Sequence, residues 1–211
     1  SAAALAWVVA CASALVGCGP SPDEPAAPIG AATVLLVSLD TTRADRLGAY
    51  GHAAAHTPVL DALASAGRRF DAARAPTPIT LPSHTTLLTG TLPTAHGVHD
   101  NTIFRASDAS LLLSEVLADA GWRTGAFVGS YVLDPRFGLD QGFERYTSPD
   151  TESLGLSATV VERRADAVVD DALDWVAELP DDEPAFLWVH VYDPHHPYAA
   201  PEPWASRHAD P

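Results

Sequence analysis

The sequence has few basic residues, and this shortage limits the partners it can bind. Lys and Arg total 12 against 27 Asp and Glu in 211 residues, which gives a formal net charge of -15. A chain of this kind lacks the basic surface that binds phosphate backbones, so we expect no nucleic-acid partner. The excess negative charge also repels anionic ligands unless a metal ion or a helix N-terminus reverses the field locally.

Cysteine is scarce and methionine is absent, even from position 1. We therefore expect that the written sequence does not begin where translation begins. The two cysteines, Cys11 and Cys18, both lie near the start of the chain. A mature domain without them has no disulfide and no thiol nucleophile. The hydrophobic fraction of 47% with 18% charged residues is that of a chain able to build a core, which excludes a wholly disordered protein.

The start of the chain is typical of a targeting signal. Residues 2–16 form an uncharged apolar run that is shorter than the roughly 20 residues a membrane-spanning helix needs. The run leads into LVGC, ending at Cys18, which resembles the lipobox of bacterial lipoproteins; a free cysteine in an ordinary signal peptide is the alternative. We expect a lipoprotein signal at 1–18, a flexible tether at 19–32 and one domain at 33–211. Such a protein is anchored by lipid in the bacterial cell envelope, on the periplasmic or extracellular side.

From residue 33 onward, predicted strands alternate with predicted helices. The run TVLLVSLD, which ends at Asp40, is apolar on both faces and predicts a central, buried parallel strand. Further strands are predicted at 122–128 and 185–191. Helices are predicted at 57–67 with Val59, Leu60 and Leu63 as the buried stripe, from Pro82 to Gly90, at 110–120 and at 160–179. This alternation predicts an α/β architecture with a mainly parallel sheet.

Polar residues collect at the predicted strand ends, where open α/β sheets bind their ligands. They are Asp40 after the first strand, Gly129 and Ser130 after the middle one, and His190, Asp193, His195 and His196 with the last. A buried strand that ends in a carboxylate suggests a hard or borderline cation, because an isolated buried charge is costly. Taken alone, Asp40 is more often a helix cap or a turn residue, so both interpretations stay open.

The segment PTPITLPSHTTLLTG adds a candidate hydroxyl group. Its Thr-Leu-Pro-Ser sequence opens a short helix and places Thr80 at or beside the helix N-terminus, where free N–H groups and the dipole favour an oxyanion. A hydroxyl in that position is a plausible nucleophile if a metal lowers its pKa. An N-cap without chemistry is the alternative, and spacing does not decide between the two.

Six sequence blocks occur in order over nearly all of residues 33–204. They are VLLVSLDTTRADRLGAYG, HTPVLDALASAGRRF, TLPSHTTLLTGTLPTAHGV, GWRTGAFVG, GLDQGFERY and FLWVHVYDPHHPY. Together they resemble the N-terminal half of the sulfatase family, within the alkaline phosphatase superfamily. The resemblance implies a three-layer α/β/α sandwich, a divalent metal ion (Zn, Mn or Ca) at the carboxyl edge of the sheet, and a nucleophile that attacks sulfur or phosphorus of an ester. It also implies that the domain is incomplete here, with an Asp followed by His or Asn expected downstream of residue 211.

The resemblance also assigns roles to individual residues. Asp40 resembles the first metal-ligating Asp, and Thr80 stands where most sulfatases carry the Cys or Ser that is oxidised to formylglycine. Thr80 is therefore expected to be both nucleophile and metal ligand. Asn101 lies near where some members present an amide to the ester, and His195 resembles the histidine of the Pro-His-x-Pro segment. His84 replaces an arginine, and it either holds an anion when protonated or is a residue without a role in chemistry.

The chain departs from the family pattern at several positions. Thr41 replaces a second Asp, and the Gly-Ser-Tyr sequence at 129–131 replaces a Lys-Trp-His run that holds sulfate. Threonine cannot become formylglycine by the same chemistry, and a threonine ester must be broken by attack of water at the central atom. Phosphorus accepts that route readily. The implied function is metal-dependent cleavage or transfer at a phosphate, phosphonate or sulfate ester of a small molecule, a glycan or a lipid headgroup.

The sequence leaves four questions open. A catalytically inactive lipoprotein that acts as a binding module is favoured by the departures, whereas the survival of the candidate site residues together favours an enzyme. A histidine inside an apolar strand is more often a hydrogen-bonded core residue than a ligand, which applies to His190. Asp193 is either a weak catalytic candidate or a turn cap, and the sequence does not orient His196 relative to His195.

Overall fold

The computed structural model describes residues 32–149 and 162–208. The predicted lipoprotein signal with Cys18 and the predicted tether up to residue 31 lie outside the described residues. Within the described ranges, no helix combines the length and the hydropathy required to cross a bilayer.

The described strands form one parallel sheet. They are β1 (Thr33–Leu39), β2 (Arg123–Val128), β3 (Arg145–Thr147) and β4 (Ala185–Val191). Their order across the sheet is β1, β4, β2, β3, and each neighbouring pair is parallel. The predicted strands at 122–128 and 185–191 are confirmed as β2 and β4, whereas the three residues of β3 are too few to give a pattern.

The helices of the described ranges lie between and after these strands. They are α1 (Pro58–Ala66), α2 (Thr80–Thr89), α3 (Pro93–His96), α4 (Leu113–Asp119), α5 (Ala165–Ala177) and α6 (Trp204–His208), with short 3-10 turns at Ala44–Arg46, Gly48–Tyr50, Tyr131–Leu133 and Pro135–Phe137. The predicted C-terminal glycines are confirmed, since Gly67 follows α1 and Gly90 follows α2. Gly90 has a φ of 68°, which glycine adopts without steric cost.

One face of the sheet packs against α2. Phe186 and Trp188 of β4 belong to a buried cluster that includes Leu81 and Leu88 of α2. Aromatic rings are frequent in this cluster, and Phe143 lies 5.6 Å from Phe186 and 6.2 Å from Trp188, centroid to centroid. We call this side the site face, because it leads to the polar residues described below.

The opposite face packs against α5. Leu187 and Val189, which alternate with the site-face residues of β4, join Val168, Ala172 and Trp175 in a second buried cluster. Gly125 of β2 lies under the indole, and a Cβ at this position would come within 2.9 Å of Trp175 Cζ3. Helices therefore cover both faces of the sheet, which confirms the three-layer α/β/α sandwich.

The prediction that the first strand is central and buried is wrong. Within the described residues β1 pairs with β4 alone and lies at the edge of the sheet. Val34, Leu35 and Val37 are 43%, 56% and 49% exposed. An apolar run predicts a strand that packs well, but it does not say which other strands lie beside it, so the position in the sheet had to come from the structure.

The predicted buried stripe of α1 is also wrong. Val59 and Leu63 are 71% and 64% exposed, and none of the residues of α1 is buried. The helix packs mainly against the Gly48–Tyr50 turn. The Ala49 N–H in this turn donates a hydrogen bond to the Asp61 carboxylate of the helix. Periodicity identified a helix with an apolar side, yet the described residues place no sheet against that side.

Candidate active site

Asp40 and Thr80 meet at the carboxyl edge of the sheet. Asp40 directly follows β1, is 6% exposed, and donates its N–H to the carbonyl of Val191 at the end of β4 at 2.9 Å. Thr80 is the first residue of α2, after the extended N-cap residue Ile79. The Thr80 hydroxyl donates to Asp40 Oδ2 at 3.1 Å. The two predicted metal ligands are therefore in direct contact, although 40 positions separate them in the chain.

His190 also lies at this point, although the sequence left its role open. The side chain is fully buried, and its Nε2 lies 3.2 Å from Asp40 Oδ2. Its Nδ1 is the one buried side-chain nitrogen or oxygen in the described ranges that has no hydrogen-bond partner. The cluster therefore contains one more polar side chain than the two predicted ligands.

The environment keeps Asp40 ionised. Burial alone would raise the pKa of this carboxyl group, but the hydrogen bond and the electrostatic attraction of His190, together with the hydrogen bond from Thr80, lower its pKa below the ordinary value. An ionised carboxylate accepts hydrogen bonds only, so both neighbours must present a hydrogen to Oδ2. Asp40 is thus an anionic oxygen ligand held in place by two donors.

His84 is buried beneath the first turn of α2. Its Nδ1 donates to the carbonyl of Thr80 at 2.8 Å, and its ring stacks on Trp188 at 5.6 Å and meets the ring of His190 at 4.9 Å. Burial lowers the pKa of His84 to about 4, so the ring is neutral at neutral pH. This placement does not support a protonated His84 as substitute for the arginine, and shows instead a ring that anchors the Thr80 backbone.

The first turn of α2 offers fewer free donors than the sequence suggested. Asn101 Oδ1 accepts a hydrogen bond from the Leu81 N–H at 2.8 Å, and Pro82 has no N–H. The Ser83 N–H donates to the Ile79 carbonyl at 3.1 Å. Among the contacts of the described residues, the N–H of residue 80 is the one left to face a ligand. Asn101 is placed as a cap of this helix.

A row of rings connects the buried cluster with His195. The ring centroids of His190 and Tyr192 are 6.0 Å apart, and those of Tyr192 and His195 are 4.4 Å apart in a nearly parallel stack. His195 Nδ1 donates to the carbonyl of His196 at 2.9 Å, so Nε2 is the ring atom left for a ligand. Tyr192 is not among the residues predicted from the sequence. The period of two along β4, which puts Trp188, His190 and residue 192 on one face, is the signal that identifies it.

Asp193 and two histidines that follow α2 in the sequence, His96 and His99, have structural contacts. Asp193 Oδ2 accepts from the N–H of Ala165 at 2.7 Å, which stabilises the first turn of α5. His96 contacts the Thr86 hydroxyl through Nε2 at 3.0 Å. The ring of His99 packs on Phe104 at 5.4 Å.

Thr41 and Gly129, two departures from the family pattern, form hydrogen bonds with backbone groups of other segments. Thr41 has a φ of 52°, and its hydroxyl donates to the carbonyl of Pro194 at 3.1 Å, which joins the turn after β1 to the loop of His195. Gly129 donates its N–H to the His190 carbonyl at 3.0 Å and accepts from the Arg163 N–H at 2.8 Å. A Cβ on Gly129 would lie 3.0 Å from the Arg163 carbonyl oxygen and 3.2 Å from that of His190.

The donor set fits a divalent cation in kind but not in number. The Asp40 carboxylate and the Thr80 hydroxyl are oxygen donors, which hard and borderline cations accept. In the part of the chain that the structure describes, no group of three or more His, Cys, Asp or Glu is placed to hold a metal ion. These residues therefore make up part of a coordination sphere, and other ligands are needed to complete it.

Known proteins resemble this chain in sequence. A protein-family model described as Sulfatase matches residues 32–210. Arylsulfatase A of Bos taurus is 38% identical over 97 residues, which cover 44% of this chain and 19% of that protein. An uncharacterized sulfatase, YidJ of Escherichia coli K12, is 27% identical over 207 residues, covering 83% of this chain and 41% of that protein. The chain thus spans between about a fifth and two fifths of the length of these curated relatives.

A solved structure extends the comparison to the fold. The phosphonate monoester hydrolase of Agrobacterium radiobacter matches with a TM-score of 0.64 and 24% sequence identity. The match covers 83% of this chain and 43% of that chain. At this identity the likeness shows that the two proteins share the fold.

Proposed function

Because the chain belongs to the sulfatase family, we propose that it carries the nucleophile of an ester hydrolase and that this nucleophile is Thr80. The relatives compared above act, by their names, on aryl sulfates and on phosphonate monoesters. Both substrates are esters of a tetrahedral centre with anionic oxygens. We propose a substrate of this class, with phosphorus esters preferred over sulfate esters.

The contact between Thr80 and Asp40 carries the proposal. The hydroxyl oxygen is 3.1 Å from Asp40 Oδ2, which also contacts the buried His190 ring, and Thr80 lies at the N-terminus of α2. The carboxylate accepts a hydrogen bond from the hydroxyl, which orients Oγ1 and leaves its lone pairs available for attack. A structural cap of α2 would instead place its side-chain oxygen on a backbone N–H of the first turn, and the Leu81 N–H is taken by Asn101.

Asp40 and Thr80 would hold the divalent cation that the family implies. When bound, such a cation lowers the pKa of a coordinated hydroxyl and stabilises negative charge that develops on the ester oxygens. The other ligands belong to residues outside those described or to water. The chain is strongly acidic and would repel an anionic substrate. The positive charge of the cation would also offset this repulsion.

The remaining residues act on the substrate and on Thr80. The Thr80 N–H and the α2 dipole face the developing charge, while His84 and Asn101 hold the first turn of the helix in position. His195 Nε2 is the donor that we propose for the leaving group, since its Nδ1 is already committed to a carbonyl. His195 is partly exposed, so a substrate can reach the ring from solvent.

Threonine as nucleophile supports the preference for phosphorus. A threonine ester of the product is released only by a second attack at the central atom, and phosphorus accepts that attack more readily than sulfur does. Gly129 supplies no cation at the position where many sulfatases carry a lysine, so one group that would hold sulfate is missing. Both arguments point to phosphate or phosphonate esters.

The proposal is tested with the full-length protein supplied with Zn²⁺, Mn²⁺ or Ca²⁺. We expect faster hydrolysis of bis-p-nitrophenyl phosphate or of a phenylphosphonate ester than of p-nitrophenyl sulfate. Thr80→Ala should lower every one of these rates by about a thousandfold or more, and Thr80→Ser should retain part of the activity. Thr89→Ala is the matched control, because Thr89 is the last residue of the same helix. Unchanged rates in Thr80→Ala would refute the nucleophile.

A binding module without catalysis is the second candidate. The small number of metal ligands among the described residues favours it. If the full-length protein binds Zn²⁺ or Mn²⁺ no better than its Asp40→Ala variant does and hydrolyses none of these esters, the binding module is the better description.

A lipid anchor at Cys18 is a separate proposal, and we expect labelled palmitate to enter the wild-type protein but not Cys18→Ala in a bacterial host.

A further inference from the structure

His190 is a buried polar side chain that the proposed reaction does not use. It lies in β4 opposite Ser38 of β1 and Val128 of β2, so backbone pairing fixes it from both sides. Its side chain is fully buried beside Asp40. A histidine at such a position is expensive, because the ring loses its contacts with water on both nitrogens.

The hydrogen bonds of the ring account for one nitrogen only. Nε2 lies 3.2 Å from Asp40 Oδ2, whereas Nδ1 is buried without a partner among the described residues. An unpaired buried polar atom costs about 1 to 3 kcal/mol. Packing alone would be served better by leucine or phenylalanine, so the favourable interaction of this side chain has to come from its contact with Asp40.

The same contact determines which nitrogen carries the hydrogen. The ionised Asp40 carboxylate only accepts, so His190 Nε2 is the donor. Oδ2 then receives two hydrogen bonds, one from Nε2–H and one from the Thr80 hydroxyl. These two donors approach from different elements, β4 and α2, and together they hold Oδ2 in position.

Neighbouring rings keep His190 from turning away. The ring of His84 meets it at 4.9 Å in an edge contact, and the rings of Tyr192 and Trp188 lie at 6.0 Å and 6.4 Å. The His190 carbonyl accepts the Gly129 N–H at 3.0 Å, which fixes the backbone as well. A side chain held on this many sides is suited to orient another group.

We propose that His190 is a positioning residue that holds the Asp40 carboxylate in the orientation needed for its contacts with Thr80 and with a divalent cation. The proposal deepens the proposed function, on which it rests for the cation. It assigns no contact between His190 and the substrate. Removal of the Nε2–H should therefore act through Asp40, while the fold of β4 persists.

Two substitutions separate the hydrogen bond from the packing. His190→Phe keeps a ring and removes the donor, whereas His190→Gln places an amide N–H close to where Nε2 lies. In the full-length protein, we expect His190→Phe to bind Zn²⁺ about 10- to 100-fold more weakly by calorimetric titration, and His190→Gln to recover most of that loss. Val189→Ala, on the opposite face of the same strand, should lose stability and keep the wild-type affinity for Zn²⁺.

A second measurement does not depend on activity or on metal. The ¹⁵N resonances of the His190 imidazole in metal-free protein should show the hydrogen on Nε2, and Asp40→Ala should shift that signal. The proposal is overturned if the hydrogen is on Nδ1 or if the signal ignores Asp40→Ala. It is also overturned if His190→Phe binds Zn²⁺ as wild type does, or if His190→Gln binds as weakly as His190→Phe. Absence of ester hydrolysis in the wild type would refute the proposed function and would leave these readouts valid.

Discussion

The two faces of β4 differ in chemistry although they belong to one strand. On the site face lie Phe186, Trp188 and His190, and on the α5 face lie Leu187 and Val189. All five side chains are buried. Burial therefore does not distinguish the functional side from the structural side, and the polarity of the buried groups does.

Polar groups on the site face require partners, and those partners tie several elements together. The Trp188 indole donates to the Ser38 hydroxyl of β1 at 3.1 Å, and the Asp40 carboxylate links β1 with α2 and β4. The buried cluster on the α5 face instead consists of aliphatic and aromatic side chains. A change on the site face should alter chemistry and stability together, whereas a change on the α5 face should alter stability alone.

Truncation of one tryptophan on each face is the strongest test of this difference. Trp188→Ala and Trp175→Ala should each lower the free energy of unfolding by about 3 to 5 kcal/mol, because a large buried ring is lost. Trp188→Ala should also lower ester hydrolysis per folded molecule, since the ring supports His84. Denaturant titration and initial rates measure the two quantities. Equal loss of activity per folded molecule in both variants would contradict the contrast between the faces.

Acid should lower the free energy of unfolding, because the buried His84 ring on the site face becomes protonated. Its pKa falls from the ordinary 6.5 to about 4 on burial, so the unfolded chain binds the proton more tightly. The stabilising effect of the neutral ring is complete above pH 6.5 and is lost as the pH falls from 6.5 to about 4, which amounts to at most about 3 kcal/mol. His84→Asn keeps a donor for the Thr80 carbonyl and does not titrate. The free energy of unfolding of His84→Asn should fall less than that of the wild type between pH 6.5 and about 4. If the free energies of both proteins fall equally with pH, His84 is not the group responsible.

Overpacking on the α5 face should destabilise the fold without affecting chemistry. Gly125→Ala places a methyl group 2.9 Å from Trp175 Cζ3, and the indole has to move. We expect a loss of about 1 to 3 kcal/mol in denaturant unfolding. Ester hydrolysis per folded molecule should stay at the wild-type value. A loss of hydrolysis comparable to that of Trp188→Ala would show that the two faces are coupled.

The smallest expected effect concerns the cap of α2. Asn101→Ala removes the acceptor of the Leu81 N–H and should lower the free energy of unfolding by about 1 kcal/mol. Asn101→Asp keeps an acceptor and adds a negative charge that the helix N-terminus favours. The aspartate variant should therefore be at least as stable as wild type in thermal unfolding. If both variants lose the same stability, the interaction with Leu81 is not what Asn101 contributes.

Much of the fold followed from hydrophobic patterns. Strands β2 and β4 were predicted within one residue of their observed ends, because both are short apolar runs bounded by turn residues. The edge position of β1 and the exposed side of α1 did not follow, since a pattern records which side chains are apolar and not which element covers them. The short elements α3 and β3 contain too few residues for any period.

The site was predicted in part. The rule that strand ends meet at one edge of a sheet placed Asp40 correctly, and the N-terminal position of Thr80 followed from the Thr-x-Pro-Ser sequence. The interpretation of His190 as a hydrogen-bonded core residue agrees with its full burial and its contact with Asp40, but the pattern of an apolar strand does not identify that partner. The neutral state of His84 depends on its burial against Trp188, which is 104 residues further along the chain. A contact over that distance could not be predicted from the local sequence.

Gly129 limits how this site changes by evolution or by design. A Cβ at this position would meet carbonyl oxygens of two separate segments at 3.0 Å and 3.2 Å, which is tighter than ordinary contact. A single substitution to lysine, which would bring the residue of many sulfatases to this position, would require the strand that carries His190 and the chain segment of Arg163 to yield slightly. A switch of substrate class through this position therefore depends on how far these two segments can move, and substitutions that loosen either of them should make it easier.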